Sequence, residues 1–305
     1  MMSDFVQQQH SVCEFASSDS WVILSPIEQS IKRKIEAVGT PLKDWNINIY
    51  RGVLTGYNEA FIITTEKRNE ILANCLSDDE RRRTVELIRP ILRGRDIKRY
   101  GYEWADLWLI ATFPSRHYDI DEYPSVKQYL LSFGIERLEQ TGQEHFVNGE
   151  KVKARKKTNN KWFETQDSIS YWEDFSQPKI VWGNLNLKAT FAMVKDNSFI
   201  NAPSPMIVPA STYLLGILNS KVSDYYIRKL GVTRNGGYFE YKPMFVEQLP
   251  VPHTNKYVKE IEECVCSLNV EKIDKLVYMV YGLNQEEINY IESKEERNSF
   301  DSILC

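Results

Sequence analysis

The sequence predicts an α+β fold, in which a mixed α/β region is followed by a C-terminal helical segment. Two N-terminal capping boxes precede apolar residues at helical spacing and mark helices in the first hundred residues. Short apolar runs bounded by turn residues mark strands in the middle of the chain. After residue 256 the apolar residues recur only at helical spacing. With 305 residues, the chain has room for at most two domains of ordinary size.

The first predicted elements are two helices with clear beginnings and ends. A capping box at 25–28, with proline at the first helical position, begins a helix that should end before Gly39. A second capping box at 77–80 begins a helix that should end at Pro90, because proline has no backbone donor. Both predictions rest on local chemistry alone.

Strands are predicted between and after these helices. Residues 46–50 and 60–63 read as two strands joined by a glycine-containing loop, a hairpin-like unit. Residues 93–100 have no usable period and are predicted to form a loop. Three further apolar runs predict strands, at 107–112, 179–182 and 190–194.

The second half of the chain is predicted to become helical. Helices are expected at 124–133 and 214–227, and residues 245–250 read as an extended segment that ends at proline. An apolar stripe from 270 to 280 ends at Gly282, which favours a helix with a glycine terminus.

The formal net charge of −4 conceals a strongly uneven distribution. Residues 256–305 contain six basic and eleven acidic side chains, a net charge of −5, which leaves +1 for the rest of the chain. Residues 81–99 contain eight basic and two acidic residues, and 151–161 contain six basic and none acidic. Because binding depends on local potential, a nucleic-acid partner is compatible with this composition.

Motifs for catalysis and metal binding are absent from the sequence. There is no dinucleotide-binding glycine pattern, no phosphate-binding loop, no zinc-protease pair of histidines and no Asn-Pro-Pro-Tyr motif. Five irregularly spaced cysteines indicate reduced thiols rather than disulfides or a zinc site. Asp96 and Lys98 match a pattern of metal-dependent nucleases, but an exposed loop produces the same match. We therefore expect no catalytic residue and no metal ligand.

Three segments combine cations with residues that can contact bases. Lysines and an arginine at 151–161 can neutralise phosphates, with nearby amides and aromatics for base contacts. The turns at 93–99 and 234–238 combine arginine with glycine, which allows close backbone approach. A solvated loop, a salt-bridged turn and a plain hairpin turn are the respective alternatives. The candidate DNA-binding residues are Tyr57, Asn58, Arg93, Arg95, Lys98, Arg99, Lys153, Arg155, Lys156, Lys157, Asn159, Lys161, Arg234, Asn235 and Tyr238.

Six ordered blocks of the sequence resemble the TaqI-like C-terminal specificity domain of adenine-specific DNA methyltransferases and type IIG restriction-modification enzymes. The blocks are RGVLTGYNEAF at 51–61, LRGRDIKRY at 92–100, QPKIVW at 177–182, YLLGILNS at 213–220, FVEQLP at 245–250 and IDKLVYMVYGL at 273–283. Their common order makes the resemblance far more specific than any single block. For Tyr57 and Asn58, a role in shaping the turn at Gly56 remains an alternative to DNA contact.

The resemblance implies a domain that recognises a sequence in double-stranded DNA while a separate catalytic half methylates N6 of adenine. S-adenosylmethionine would bind that catalytic half, and no cofactor is expected in this chain. The implied division is a helical connector to the missing catalytic half at 1–44, a DNA target-recognition domain at 45–252 and a C-terminal helical segment at 253–305. The chain is then either the tail of a longer protein or a separate specificity subunit.

Two other functions remain open from the sequence, and the weaker is a metal-dependent nuclease that uses Asp96. The acidic helices after residue 256 could dock on a partner, which would make the chain a protein-interaction module of a DNA-modification complex with incidental DNA binding. The sequence contains no apolar run of the roughly 18 residues that a membrane span requires, and a cytoplasmic location without membrane contact is expected.

Overall fold

The computed structural model describes residues 24–301, other than 232 and 254. Within this range the chain forms an α+β fold, as predicted. Its helices are α1 (Pro26–Val38), α2 (Asn58–Phe61), α3 (Thr65–Ala73), α4 (Asp78–Leu87), α5 (Pro124–Leu131), α6 (Ile135–Leu138), α7 (Thr212–Leu218), α8 (Lys221–Leu230), α9 (Pro243–Val246), α10 (Val258–Cys266), α11 (Val270–Val280) and α12 (Gln285–Asp301).

The strands are short and come from distant parts of the chain. They are β1 (Thr40–Pro41), β2 (Asn48–Arg51), β3 (Ile62–Thr64), β4 (Ile88–Leu92), β5 (Ile97–Lys98), β6 (Gly101–Tyr102), β7 (Leu107–Ile110), β8 (Glu144–Val147), β9 (Glu150–Lys153), β10 (Lys179–Trp182), β11 (Leu185–Asn186), β12 (Phe191–Val194), β13 (Phe199–Ile200), β14 (Pro205–Val208), β15 (Phe239–Glu240) and β16 (Pro250–Val251).

Two four-stranded sheets organise the fold. The first has the order β12-β10-β14-β2 and is antiparallel throughout. The second has the order β13-β4-β7-β3, in which only β13 and β4 run parallel. The remaining described strands form two-stranded ribbons: β1 with β16, β5 with β6, β8 with β9, and β11 with β15.

The first sheet lies between two hydrophobic cores. Alternate residues of β10 belong to different cores: Ile180 and Trp182 face the core that contains the C-terminal helices, and Val181 faces the other. Strand β12 alternates in the same way, with Phe191 in the first core and Ala192 in the second. Burial on both faces explains why these strands are continuous apolar runs rather than alternating ones.

A lysine begins strand β10 inside this apolar setting. The Lys179 side chain is fully buried, and its Nζ donates to the carbonyl oxygens of Phe175 at 2.7 Å and Asp196 at 2.8 Å. Burial lowers the pKa of Lys179 to about 8, because the charged ammonium loses its hydration. The two carbonyls explain why a lysine is accepted at this position.

The first helix packs against the last ones. The predicted capping box is confirmed: the backbone amides of Ser25 and Glu28 each bond to the other residue's side chain. Ile31 and Ile35 are fully buried in the core that contains the C-terminal helices. Glu287 accepts from Ser30 Oγ and Lys34 Nζ, both at 2.7 Å, and joins α1 to α12. Residues 1–23 of the predicted connector lie outside the described part.

Several local predictions are confirmed. The capping serine at 77 begins α4, and strands form within 107–112, 179–182 and 190–194. A helix forms within 124–133, and three helices follow residue 256. These elements have strong local signals, so their existence did not depend on knowledge of distant partners.

Other local predictions are wrong, and distant pairing explains the largest errors. The segments 46–50 and 60–63 do not form a hairpin, because β2 pairs with β14 and β3 pairs with β7. Helix α4 ends at Leu87 rather than at Pro90, because Ile88, Arg89 and Pro90 pair with strand β7. Tertiary pairing therefore outweighs the local signals at these places.

The remaining corrections concern three short segments. Residues 93–100 are not plain loop, since they contain a 3₁₀ turn at Gly94–Asp96 and strand β5. Residues 214–227 contribute to two helices, separated where Ser220 caps α8. The segment 245–250 is not extended throughout, because its first two residues belong to helix α9. Pro243 occupies the first position of this helix, and Val246 is buried. A proline that starts a helix explains this last error.

Candidate nucleic-acid interface

Arg155 is the centre of the basic segment, and it points inward. Its side chain is 4% exposed, and its guanidinium donates to four backbone carbonyl oxygens. The acceptors are Leu138 at 2.7 Å, Thr55 at 2.9 Å, Glu164 at 2.8 Å and Trp162 at 2.6 Å. Burial lowers the pKa of Arg155 to about 10. Four of the five N–H groups of Arg155 donate within the fold, so the structure gives this buried residue a bracing role, unlike the phosphate contact that was predicted.

Two amide side chains fix the loop that follows Arg155. Gln140 is 3% exposed, and its Nε2 donates to the carbonyls of Lys161 at 3.1 Å and Glu164 at 3.0 Å. Asn160 Nδ2 donates to the carbonyls of Thr165 at 3.2 Å and Gln166 at 2.9 Å. These internal bonds order a loop that has no regular secondary structure.

The other charged residues of the same loop point to solvent. Lys156, Lys157 and Asn159 are exposed, and so is Lys161, whose Nζ lies 5.5 Å from the centre of the Phe163 ring. Because the backbone beneath them is fixed, these side chains are presented without the large ordering cost of a mobile loop. The braced loop, residues 155–161, is therefore a preorganised cationic surface.

A two-stranded ribbon, β8 and β9, leads directly into the braced loop. Its turn contains Asn148 and Gly149, with φ of 51° and 84°, which is the pattern of a tight hairpin turn. Phe146 pairs with Lys151 across the ribbon and is 78% exposed. Lys153 is exposed and pairs with Glu144. One ribbon face thus presents an aromatic ring and two lysines, of which Lys151 forms an ion pair with Glu144 at 2.8 Å.

Phe146 and Lys151 are absent from the candidate residues that the sequence suggested. The Asn-Gly pair at 148–149, flanked by alternating residues, is a strong hairpin signal and could have located the ribbon. It could not have revealed which side of the ribbon faces solvent, because both faces carry residues of mixed character.

The turn before α2 adjoins the braced loop. Arg155 contacts the carbonyl of Thr55 at the start of this turn, and Gln166 donates its backbone amide to Leu54 at 3.1 Å. Gly56 has φ of 79°, and a Cβ there would lie 2.7 Å from Gln166 Oε1. The positive φ therefore favours glycine at this position, and a Cβ would also displace the end of the Gln166 side chain.

Tyr57 and Asn58 follow this glycine and differ in their contacts. The Tyr57 ring is half-buried, packs edge-on against Phe133 at 5.8 Å and lies 5.2 Å from the Arg137 guanidinium. Asn58 is exposed, but its Oδ1 accepts from Thr55 Oγ1 at 2.6 Å. These contacts support a role in shaping the turn, and neither residue is tested as a DNA contact.

The second predicted segment is mostly tied into the fold. Arg93 forms a two-point ion pair with the buried Asp96, at 3.0 and 2.7 Å, and Arg99 donates to the Asn219 carbonyl at 2.6 Å. Lys98 is exposed and donates to the Arg95 carbonyl at 3.1 Å. Arg95 is exposed. Of this group, Arg95 and Lys98 lie on the surface.

The third predicted segment forms a turn built on two left-handed glycines. Gly236 and Gly237 have φ of 74° and 73°. Arg234 pairs with Glu240, a carboxylate that is 4% exposed and also accepts from Lys242 at 2.8 Å. Tyr238 is 43% exposed, and the side chain of Asn235 lies outside the described part.

The turn at Gly183 and strand β11 lie between the second predicted segment, 93–99, and the third, 234–238. Ser204 lies beside the second segment. A Cβ at Gly94 would lie 3.7 Å from the Cα of Gly183, and the following residues, β11, pair with β15 beside the glycine turn. The same Cβ would lie 2.8 Å from Ser204 Oγ. The Ser204 carbonyl accepts from Gly52 at 2.8 Å, four residues before Gly56. Ser204 therefore lies between Gly94 of the second segment and Gly52, which precedes the Gly56 turn.

Potential metal ligands are scattered over the described residues. No group of three or more histidine, cysteine or acidic side chains is arranged to bind a metal in this part of the chain. Asp96, the carboxylate of the nuclease pattern, is occupied by the backbone and side chain of Arg93. Among the described helices, none has the length and apolar character of a membrane span.

The described residues form a two-core α+β scaffold that presents exposed cations on the braced loop. A family match identifies the class of protein. Residues 89–251 match the TaqI-like C-terminal specificity domain, and this chain belongs to that family. The chain therefore contains a TaqI-like C-terminal specificity domain, the family that the ordered blocks resemble.

Proteins with a similar sequence or fold include a DNA-modification enzyme and two restriction enzymes. The type II methyltransferase M.PaeR7I of Pseudomonas aeruginosa is 20% identical over 280 residues, which cover 88% of this chain and 44% of that protein. The chain thus spans less than half the length of this relative. The fold is similar to the type IIL restriction-modification enzyme MmeI, solved in complex with DNA, with TM-score 0.57, 14% identity and coverage of 85% of this chain and 36% of that one. It is also similar to the type IIG restriction endonuclease BpuSI, with TM-score 0.53, 13% identity and coverage of 91% and 32%.

Proposed function

We propose that this chain recognises a specific sequence in double-stranded DNA, as the specificity part of an adenine-N6 methyltransferase or type IIG restriction-modification enzyme. The observation that carries the proposal is the braced loop, in which Arg155 and Asn160 bond inward while Lys156, Lys157 and Asn159 face solvent. A loop ordered by buried hydrogen bonds that exposes only cations and an amide suits a fixed partner with a regular array of negative charge.

The contacts divide into those that position the DNA and those that read it. Lys153, Lys156 and Lys157 would contact phosphates, which sets the register without sequence information. Asn159 would contact base edges, since an amide can bond to adenine at two points. The ribbon of β8 and β9 has the width that a major groove accepts, and Phe146 would contact bases from its exposed face.

Catalysis would come from a separate part of the enzyme. A base inside a duplex must leave the stack to reach a methyl donor, at a cost of a few kcal/mol, and a recognition surface that grips the flanking DNA offsets this cost. S-adenosylmethionine would bind the catalytic part, and this chain would contribute no catalytic residue of its own. The partner in the working enzyme would be that methyltransferase domain or subunit.

Selection from random duplexes followed by salt titration tests the proposal. The purified chain should retain duplexes that share one short motif. The double variant Lys156→Glu/Lys157→Glu should flatten the plot of log affinity against log salt by about one unit for each lost phosphate contact. The control variant Lys272→Glu/Lys275→Glu reverses two exposed charges on α11 and should leave the slope unchanged. If the two double variants gave equal slopes of log affinity against log salt, the lysines of the braced loop would not contact phosphates.

The alternative, a protein-interaction module that docks through its C-terminal helices, is less supported by the packing. Ile261, Ile273 and Val277 of those helices are fully buried in the first core, so their apolar faces are already used. The exposed side chains of these helices include acidic residues such as Glu260 and Glu263, which a partner could contact. Loss of partner binding on charge reversal at Glu260 and Glu263, with DNA affinity intact, would favour this alternative.

A further inference from the structure

A cavity outside the candidate interface is lined by arginine and aromatic side chains. It has a volume of about 260 Å³ and lies between α4, the end of β7, and β13. None of the candidate DNA-binding residues lines it. Its lining includes three arginines and one glutamate, so its local charge is positive in a chain whose net charge is negative. The lining side chains that matter are Arg83, Arg89, Arg116, Tyr118, Tyr123 and Trp172.

Each arginine of the cavity lies over an aromatic ring. The Arg116 guanidinium carbon is 3.8 Å from the centre of the Trp172 ring and 5.6 Å from that of Tyr118. The guanidinium carbon of Arg83 lies 5.9 Å from the centre of the Tyr123 ring, and that of Arg89 lies 6.0 Å from the centre of the Phe199 ring. A guanidinium that stacks by its face keeps its N–H edge free for bonds in its plane.

The donor capacity of these arginines is only partly used within the fold. Arg83 donates through Nη2 to the Glu122 carbonyl at 3.0 Å, but its Nε is buried with no partner. Arg89 donates to the Asn197 carbonyl at 3.5 Å, which is the limit of a hydrogen bond. In the described part of the chain, none of the three arginines forms an ion pair with a carboxylate. Glu86, the acid in the lining, is exposed.

We propose that this cavity binds a nucleotide, with the arginines holding the phosphate and the aromatic walls holding the base. Guanidinium edges match phosphate oxygens at two points, and indole and phenol rings stack on flat heterocycles. Ligand sites have volumes from roughly 300 Å³ upwards, and the volume of this cavity is close to that lower end. A cavity of this size limits the occupant to a single nucleotide. That nucleotide is either free in solution or one unit of a DNA strand.

Binding of deoxyadenosine 5′-monophosphate, inorganic phosphate and adenosine, measured by calorimetry, tests the assignment. The monophosphate should bind more tightly than either fragment. Arg116→Gln should weaken it on the order of tenfold, since a charged hydrogen-bonding group is lost, and Arg116→Lys should restore only part of the affinity. Arg33→Gln is the control, because Arg33 is exposed on α1, away from the cavity.

A second measurement avoids dependence on variants. Phenylglyoxal modifies accessible arginines, and peptide mass spectrometry of the unaltered protein shows which sites a ligand protects. Deoxyadenosine monophosphate should protect Arg116 and Arg83 and leave Arg33 reactive.

Two positive results separate the sources of the nucleotide. If the free monophosphate binds and Arg116→Gln leaves duplex affinity unchanged, the cavity is a small-molecule site. If the monophosphate does not bind but duplex or single-stranded DNA loses affinity in Arg116→Gln and protects Arg116, the nucleotide belongs to a strand. If no nucleotide or DNA binds or protects, the assignment is wrong; the Lys156→Glu/Lys157→Glu test of the proposed function is unaffected by that outcome.

Discussion

Replacement of Arg155 by methionine should destabilise the fold by about 3 kcal/mol. The guanidinium donates to four backbone carbonyls, and methionine would leave these buried acceptors without that donor. Each buried polar group that loses its partner costs about 1–3 kcal/mol. Removal of the charge offsets part of this cost, because burial disfavours the charged form and lowers the pKa of Arg155 to about 10. A loss of about 3 kcal/mol is the expected balance.

Urea unfolding followed by circular dichroism measures this loss. The control is Lys156→Met, one residue along the chain, whose exposed side chain should change the free energy of unfolding by less than about 0.5 kcal/mol. DNA affinity should follow the opposite order. Under conditions in which both variants are folded, Lys156→Met should bind DNA more weakly than Arg155→Met. A loss below about 1 kcal/mol for Arg155→Met would refute the bracing role.

Three further predictions address the turn, the buried lysine and the ribbon. Gly56→Ala should destabilise the fold by about 1–3 kcal/mol, because φ is 79° there, whereas Gly101→Ala, with nothing within 4 Å, should be nearly neutral in the same urea titration. The pKa of Lys179 is about 8 in the folded protein and 10.5 in the unfolded chain. Between these two pH values the unfolded chain binds a proton that the folded protein has lost. Stability should therefore rise by about 2 kcal/mol from pH 8 to 10, and the rise should be absent in Lys179→Met when unfolding is repeated across this range. Phe146→Ala should weaken duplex binding about tenfold in a gel-shift titration with unchanged thermal stability, while Leu76→Ala, another exposed apolar residue, should change neither.

Local chemistry predicted much of the fold. The capping box at 25–28 and the apolar runs 179–182 and 190–194 carry signals within a few residues, and each contains the expected element. Pairing between strands could not be predicted in this way. Strand β2 pairs with a segment more than 150 residues away, and no local pattern identifies that partner. The family resemblance came from ordered blocks rather than from periodicity.

The candidate site shows the same division between local and distant information. Arg155 and Lys156 are adjacent cations in one basic run, and their sequence surroundings do not distinguish them. Their roles differ because the carbonyls of Thr55 and Leu138 meet at one side of the loop only after the chain has folded. Charge composition therefore located the basic segment, but direction within it depends on tertiary contacts.

The sheet between the two cores limits how this domain can acquire a new target by recombination. Its four strands come from four separate stretches of sequence, and each inner strand contributes side chains to both cores. A crossover between genes inside this region would combine strands whose two faces had been fitted to different neighbours. Exchange of short surface segments avoids that mismatch, since Lys156, Lys157 and Asn159 lie outside both cores. New specificities should therefore arise by replacement of loops on a conserved interior rather than by exchange of half-domains.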